Sequence, residues 1–164
     1  MSELLDKISS YNLFNYLLPG VLFAVISSKL THYNFLGYEV VVAAFLYYFI
    51  GLVVSRFGSL IIEPVFKWTN FVKFAKYADF VTASNKDPKI DILSEANNMF
   101  RTLCSLFLVL ALLKLYEKLG TCWPLFEHYR VIALIVLLFV MFAFAYRKQT
   151  RYITQRVQAE LDKK

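Results

Sequence analysis

The residues of this chain whose side chains could bind a metal ion or attack a substrate are few. There are two histidines and two cysteines. His128 lies close in sequence to Cys122 and Glu127, whereas His32 lies far from all three. These residue types bind transition metals, but their spacing matches no known metal-binding pattern. We therefore predict that the protein binds no metal ion.

The chain also lacks the short motifs that carry much of enzyme chemistry. It has no phosphate-binding glycine loop, no zinc-binding pair of histidines on a helix and no nucleophile elbow, and its five glycines do not cluster. The acidic residues between 57 and 100 are scattered among lysines, which is typical of a solvated surface. The sequence predicts that the protein is not an enzyme and uses no cofactor.

The composition indicates where the chain resides. Of its 164 residues, 59% are hydrophobic and 18% charged, and the mean hydropathy is +0.52. A soluble domain is typically about 45–50% apolar and about 25% charged. A body of this size could not hide 16 Phe and 11 Tyr from water. These values exclude a disordered chain and favour a membrane protein over a soluble enzyme.

Four nearly charge-free runs are candidates for membrane spans. A spanning helix needs roughly 20 mainly apolar residues, and the third run reaches that length only if Lys114 extends its amine to the surface. The predicted fold class is all-α: a polytopic membrane protein with four transmembrane helices in two hairpins and cytosolic helical extensions. The predicted spans are about 11–29, 36–56, 101–119 and 129–147.

The positive charges predict the orientation of these spans. Fourteen of the 18 lysines and arginines fall on the side of the two termini, and positive residues favour the cytoplasmic side. We expect both termini in the cytoplasm of a bacterium, with the protein in its inner membrane. An odd number of spans would place the basic middle segment or the basic tail outside.

The segment 57–100 is predicted to be helical and cytosolic. The second span is expected to continue as a helix to Glu63 and to end at Pro64, because proline cannot continue a helix. A second helix is expected over 65–82. Aromatic side chains lie on nearly every side of it, so it rests either among anionic headgroups or between copies of the chain. The residues assigned to contacts with another copy or a partner are Phe66, Trp68, Phe71 and Phe74.

Two further helices are predicted from sequence signals. A turn at 84–88 precedes a long helix from about 92 to 118. The fourth span is expected to continue into the basic tail, 148–164, as an amphipathic helix. The tail is predicted to contact anionic lipid rather than nucleic acid, since four spans tether it. The residues assigned to lipid are Arg147, Lys148 and Arg151.

Some residues inside the spans suggest how the helices pack. Small residues at spacing four let helices approach closely, and the second span carries Gly51, Ser55 and Ser59. The intramembrane charge Lys114 could pair with Glu39 on the second span. The favoured alternative is that Lys114 reaches outward and pairs with Glu117 on its own helix.

The spans contain too few polar groups for a pore through one chain. Any conducting path must lie between several copies, which predicts a homo-oligomer. The residues expected to line such a path are Asn12 and Asn15 on the first span.

Three stretches, Tyr11–Gly20, Glu95–Arg101 and Tyr146–Arg151, resemble small four-span bacterial inner-membrane proteins that are often encoded beside anti-phage defence genes. The resemblance implies a non-enzymatic membrane component that senses infection or damages the membrane. Two alternatives stay open: a scaffold that anchors a cytosolic protein partner, and a small channel or transporter unrelated to defence.

Overall fold

The structure is a computed structural model that describes residues 13–120 and 125–161 of the chain. All regular secondary structure in these two ranges is helical, which confirms the predicted all-α class. In chain order, the elements are a π-helical turn Leu13–Leu17 (π1), α1 Leu18–Leu30, α2 Val40–Phe57, a π-helical turn Gly58–Ile62 (π2), α3 Glu63–Trp68, α4 Tyr77–Ser84, α5 Lys89–Gly120 and α6 Leu125–Leu161.

Among the described residues, three helical stretches are long and apolar enough to cross a membrane. They contain the third and fourth predicted spans and most of the second, whereas the first predicted span, 11–29, falls on a shorter apolar helix at Asn15–Leu30. The helix of the second predicted span begins at Val40 rather than at residue 36. Gly37 has a φ of 92° and Glu39 a ψ of 147°, and neither value is helical. The three long stretches are Val40–Trp68, Lys89–Gly120 and Tyr129–Leu161.

Two glycines bring the backbones of the first two helices into direct contact. A Cβ atom on Gly20 would lie 1.7 Å from the backbone oxygen of Tyr47. In the reciprocal contact, a Cβ atom on Gly51 would lie 1.7 Å from the backbone oxygen of Tyr16. Neither position has room for a side chain, so the helix pair is fixed in register by these two residues.

Helix α5 completes a three-helix core with α1 and α2. The buried apolar residues of this core are Phe23, Val54, Leu106 and Leu110. The hydroxyl of Ser105 is fully buried and donates to the backbone oxygen of Val54 at 2.6 Å. A polar side chain therefore crosses between α5 and α2 without leaving a buried hydroxyl unpaired.

Pro64 does not end the second helix, contrary to the sequence prediction. α2, π2 and α3 form one helical rod from Val40 to Trp68. Proline lacks an N–H and its ring clashes with the carbonyl one turn earlier. The wider turn of π2 lies directly before this proline, and the N–H of Glu63 bonds to the oxygen of Gly58, five residues back. A π turn of this kind absorbs the extra space that the ring needs.

The predicted helix over 65–82 is interrupted. α3 ends at Trp68, and the next helix, α4, begins at Tyr77. Asn70 adopts a left-handed φ of 57°, a conformation that Asn tolerates better than most residues. Apolar periodicity alone could not place this break, because the aromatic residues continue through it at helical spacing.

The two long C-terminal helices follow the sequence prediction more closely. The helix expected from about 92 to 118 is α5, and α6 carries the fourth predicted span and the tail as far as Leu161 as one continuous helix. α6 contacts α2 through Phe49 and Phe142, with ring centroids 6.2 Å apart. It contacts α4 through the stacked rings of Tyr77 and Tyr152. Only 6% of its apolar window is buried within the chain.

Candidate functional site

The most concentrated polar site in the described part of the chain is a cluster of charges around Glu63. One carboxylate oxygen accepts hydrogen bonds from Lys67 at 2.8 Å, and the other accepts from Arg101 at 2.7 Å. The amine of Lys148 lies 3.2 Å from the first oxygen. We call these four residues the Glu63 cluster.

The cluster joins three separate helical segments at one end of the bundle. Glu63 and Lys67 belong to α3, one turn apart, while Arg101 comes from α5 and Lys148 from α6. The amine of Lys148 also donates to the backbone oxygen of Ser59 at 2.7 Å and to its hydroxyl at 2.8 Å. Each helix therefore contributes at least one strong, charge-assisted bond.

The cluster is largely hidden from solvent. The side chains of Glu63, Lys148 and Arg101 are 6%, 15% and 20% exposed, whereas Lys67 is 43% exposed. One carboxylate faces three cations, so the cluster carries a formal excess of positive charge. A buried charge that loses its partner is strongly destabilising, and Glu63 is the partner of all three cations. The arrangement can hold helices together, and its oxygens are occupied by ion pairs rather than free to act as a base.

The sequence assigned Lys148 to lipid, whereas the structure pairs its amine with groups of its own chain. Lys148 points inward to Glu63 and Ser59, because its position on α6 faces the packed end of α3. Arg147 and Arg151, the other two residues assigned to lipid, are exposed. Two of the three predicted lipid contacts are therefore still accessible.

The small residues of the second span lie on its packed face. Gly51 contacts the backbone of Tyr16, and the hydroxyl of Ser55 accepts a long hydrogen bond from Thr102. Ser59 binds Lys148. The same spacing of four, continued once more, reaches Glu63. The scattered acidic residues of 57–100 predict a solvated carboxylate at this position, and extension of the ladder is the signal that singles it out.

The four aromatic residues assigned to association are divided between two structures. Phe66 and Trp68 lie on α3, and Phe71 and Phe74 lie in the loop that follows it. Phe66 and Phe71 pack edge to face with their centroids 4.9 Å apart. The exposed fractions of Trp68 and Phe71 are 84% and 75%, so most of their surface is available to a ligand outside this chain.

The remaining predicted residues lie at the opposite end or near the N-terminus. Lys114 pairs with Glu117 on its own helix. Glu39, the alternative partner, is exposed. Asn15 is 3% exposed and packs inside the chain. Asn12, the other residue assigned to a pore, lies outside the described residues.

Within residues 13–120 and 125–161, no group of three or more His, Cys, Asp and Glu side chains is placed to hold a metal ion. Comparison of the chain with protein-family models, characterised proteins and solved structures finds no match. The class of the protein therefore rests on the molecule itself. Its described residues, 13–120 and 125–161, are all-helical in their regular structure and include three helices that have the length and composition of membrane spans.

Proposed function

We propose that the protein is a non-enzymatic, multi-pass component of the bacterial inner membrane that works as a homo-oligomer in anti-phage defence. The observation that carries the membrane part of this proposal is the surface of α6. Its apolar window has a mean hydropathy of 2.3 and is 6% buried within the chain. So large an exposed apolar surface is unfavourable in water and supports a location in lipid.

We propose four spans with both termini in the cytoplasm, the fourth being supplied by the shorter apolar helix near the N-terminus. π1 and α1 together run from Leu13 to Leu30, a length of about 27 Å at 1.5 Å per residue. The hydrocarbon core is about 30 Å thick, so this shorter helix needs little local thinning to span it. The basic residues of the tail and of the 57–100 segment then share the cytoplasmic side.

Association is proposed to occur along the exposed apolar faces of α2 and α6. Asn15 is packed within the chain, so a polar path that Asn15 lines requires the helices of one chain to separate. A membrane-perturbing role thus involves a rearrangement of the helices. The ion pairs of the Glu63 cluster would oppose this rearrangement, because they join three helical segments. The defence role itself is supported by the resemblance of the three sequence stretches.

The proposal is tested by phage challenge of cells that carry the gene with its natural neighbours. We expect fewer phage progeny and loss of membrane potential, followed with a voltage-sensitive dye, only where the intact chain is present. Glu63→Gln should alter both responses, whereas Lys86→Gln, a change at an exposed lysine, should not. Unchanged phage yield and membrane potential at equal protein levels would contradict the proposal. A scaffold would instead retain a soluble partner through purification without depolarising the cell.

A further inference from the structure

The loop between α3 and α4, residues 68–76 with Trp68 included, presents an unusual concentration of exposed aromatic surface. Trp68 is 84% exposed, Phe71 75% and Phe74 50%. The backbone holds these rings in place, because the N–H groups of Phe71 and Val72 both donate to the oxygen of Phe66. The loop is therefore a defined projection that displays aromatic side chains outward.

The charge on this projection has a single sign. The stretch 64–78 contains three lysines and no acidic residue. Lys73 and Lys76 are exposed, and the amine of Lys67 lies 4.2 Å from the ring centroid of Phe74, a cation–π contact. Ammonium groups and aromatic rings thus alternate over one small surface.

The position of the loop along the helical rod places it at the level of lipid headgroups. The rod Val40–Trp68 has 29 residues, or about 43 Å at 1.5 Å per residue. A bilayer is about 30 Å thick across its hydrocarbon and about 40–45 Å with its headgroups. The rod is therefore as long as the whole bilayer, so when Val40 lies at the water edge of one headgroup region, Trp68 lies at the water edge of the other. Trp residues are enriched at these interfaces in membrane proteins.

We propose that the 68–76 loop is an anchor that binds anionic lipid headgroups, with its aromatic rings at the interface and its lysines on the phosphates. Lysine is depleted in the cores of protein–protein interfaces, and Lys73 and Lys76 of each copy would repel those of the other across such a contact. Anionic lipid attracts the same lysines. This assignment replaces association between copies as the role of Trp68, Phe71 and Phe74, and it does not depend on the homo-oligomer.

Tryptophan fluorescence tests the proposal with the full chain. The chain has two tryptophans, so Trp123→Phe leaves Trp68 as the single reporter. This variant is placed, one chain per disc, in lipid nanodiscs that contain phosphatidylglycerol and phosphatidylcholine with brominated acyl chains. We expect brominated lipid to quench Trp68 strongly and aqueous acrylamide to quench it weakly.

The charge requirement has a matched control. The double variant Lys73→Gln with Lys76→Gln should lower the ratio of membrane-bound to free loop about 25-fold, because each lysine contributes about fivefold. Quenching of Trp68 by acrylamide should rise, because more of the loop is then in water. Lys86→Gln with Lys89→Gln removes the same charge from another exposed segment and should change neither signal. A single Trp at position 136, made as Val136→Trp, calibrates full quenching by lipid.

Three results would overturn the proposal. Quenching by acrylamide rather than by brominated lipid would place Trp68 in water. Protection from both quenchers at one chain per disc would place it inside a contact within its own chain, and protection that arises only at two or more chains per disc would assign the contact to a second copy. Equal quenching in purely zwitterionic discs would remove the role of anionic headgroups.

Discussion

Neutralising Glu63 should loosen the junction of the three helical segments that it joins. Glu63→Gln keeps the size of the side chain and removes its charge. Arg101 and Lys148, at 20% and 15% exposure, would then lie beside each other without a carboxylate. The amide still accepts one hydrogen bond, so the variant isolates the loss of charge from the loss of volume.

The size of the effect follows from the burial of each partner. Removing one member of a buried ion pair costs about 3–5 kcal/mol. Lys67 is 43% exposed and turns to solvent, so its share is about 0.5 kcal/mol. Lys148 keeps both of its hydrogen bonds to Ser59. The expected loss of unfolding free energy therefore lies near the lower end of the range of about 3–5 kcal/mol. We expect a loss of about 3 kcal/mol, or a factor of about 150 in the unfolding equilibrium.

The assay is unfolding of the purified protein in mixed micelles of mild detergent and dodecyl sulfate. Lys67→Gln is the matched control and should cost about 0.5 kcal/mol. Lys148→Met should cost less in the Glu63→Gln background than in the parent, because the two residues contact each other and their effects are then non-additive. A Glu63→Gln loss no greater than that of Lys67→Gln, or strict additivity with Lys148→Met, would refute the argument that this carboxylate binds the helices together.

Two other predictions concern packing and topology. Gly51→Ala should cost about 1–3 kcal/mol through overpacking, because its Cβ would collide with backbone. Gly120→Ala, which meets no atom within 4 Å, should leave unfolding in the same micelles unchanged, and equal effects of the two variants would contradict the close helix contact. Reporter fusions at Asn34 should read as periplasmic, and fusions at Asn85 and Lys164 as cytoplasmic. A periplasmic signal at Lys164 would mean an odd number of spans.

Local sequence signals were sufficient for the helical class and for the long C-terminal helices. Charge-free runs, the 84–88 turn and the amphipathic tail each act within one segment, so their consequences are visible without tertiary structure. The end of the second helix was not predictable in this way. Pro64 is normally a helix terminator, and only the π turn before it shows how the ring is accommodated.

The Glu63 cluster could be predicted only in part. The ladder of small residues pointed to the packed face of the second helix, and Glu63 continues its spacing. The partners Arg101 and Lys148 lie on other helices, 38 and 85 positions away in the sequence. Membrane helices are apolar on all sides, so their periodicity does not reveal which faces meet or at what height. That information is present only in the assembled bundle.

The contribution of Lys148 to the Glu63 cluster has a consequence for how the protein is made. Arg101 is synthesised before it, and about 50 residues separate the two, which is a few seconds of translation at roughly 5–20 residues per second. All residues of α1, α2 and α5 precede Lys148 in the chain, so Glu63 and Arg101 are synthesised before the amine that completes their cluster. Until α6 has been made, the carboxylate of Glu63 has only Lys67 and Arg101 as cationic partners among the described residues.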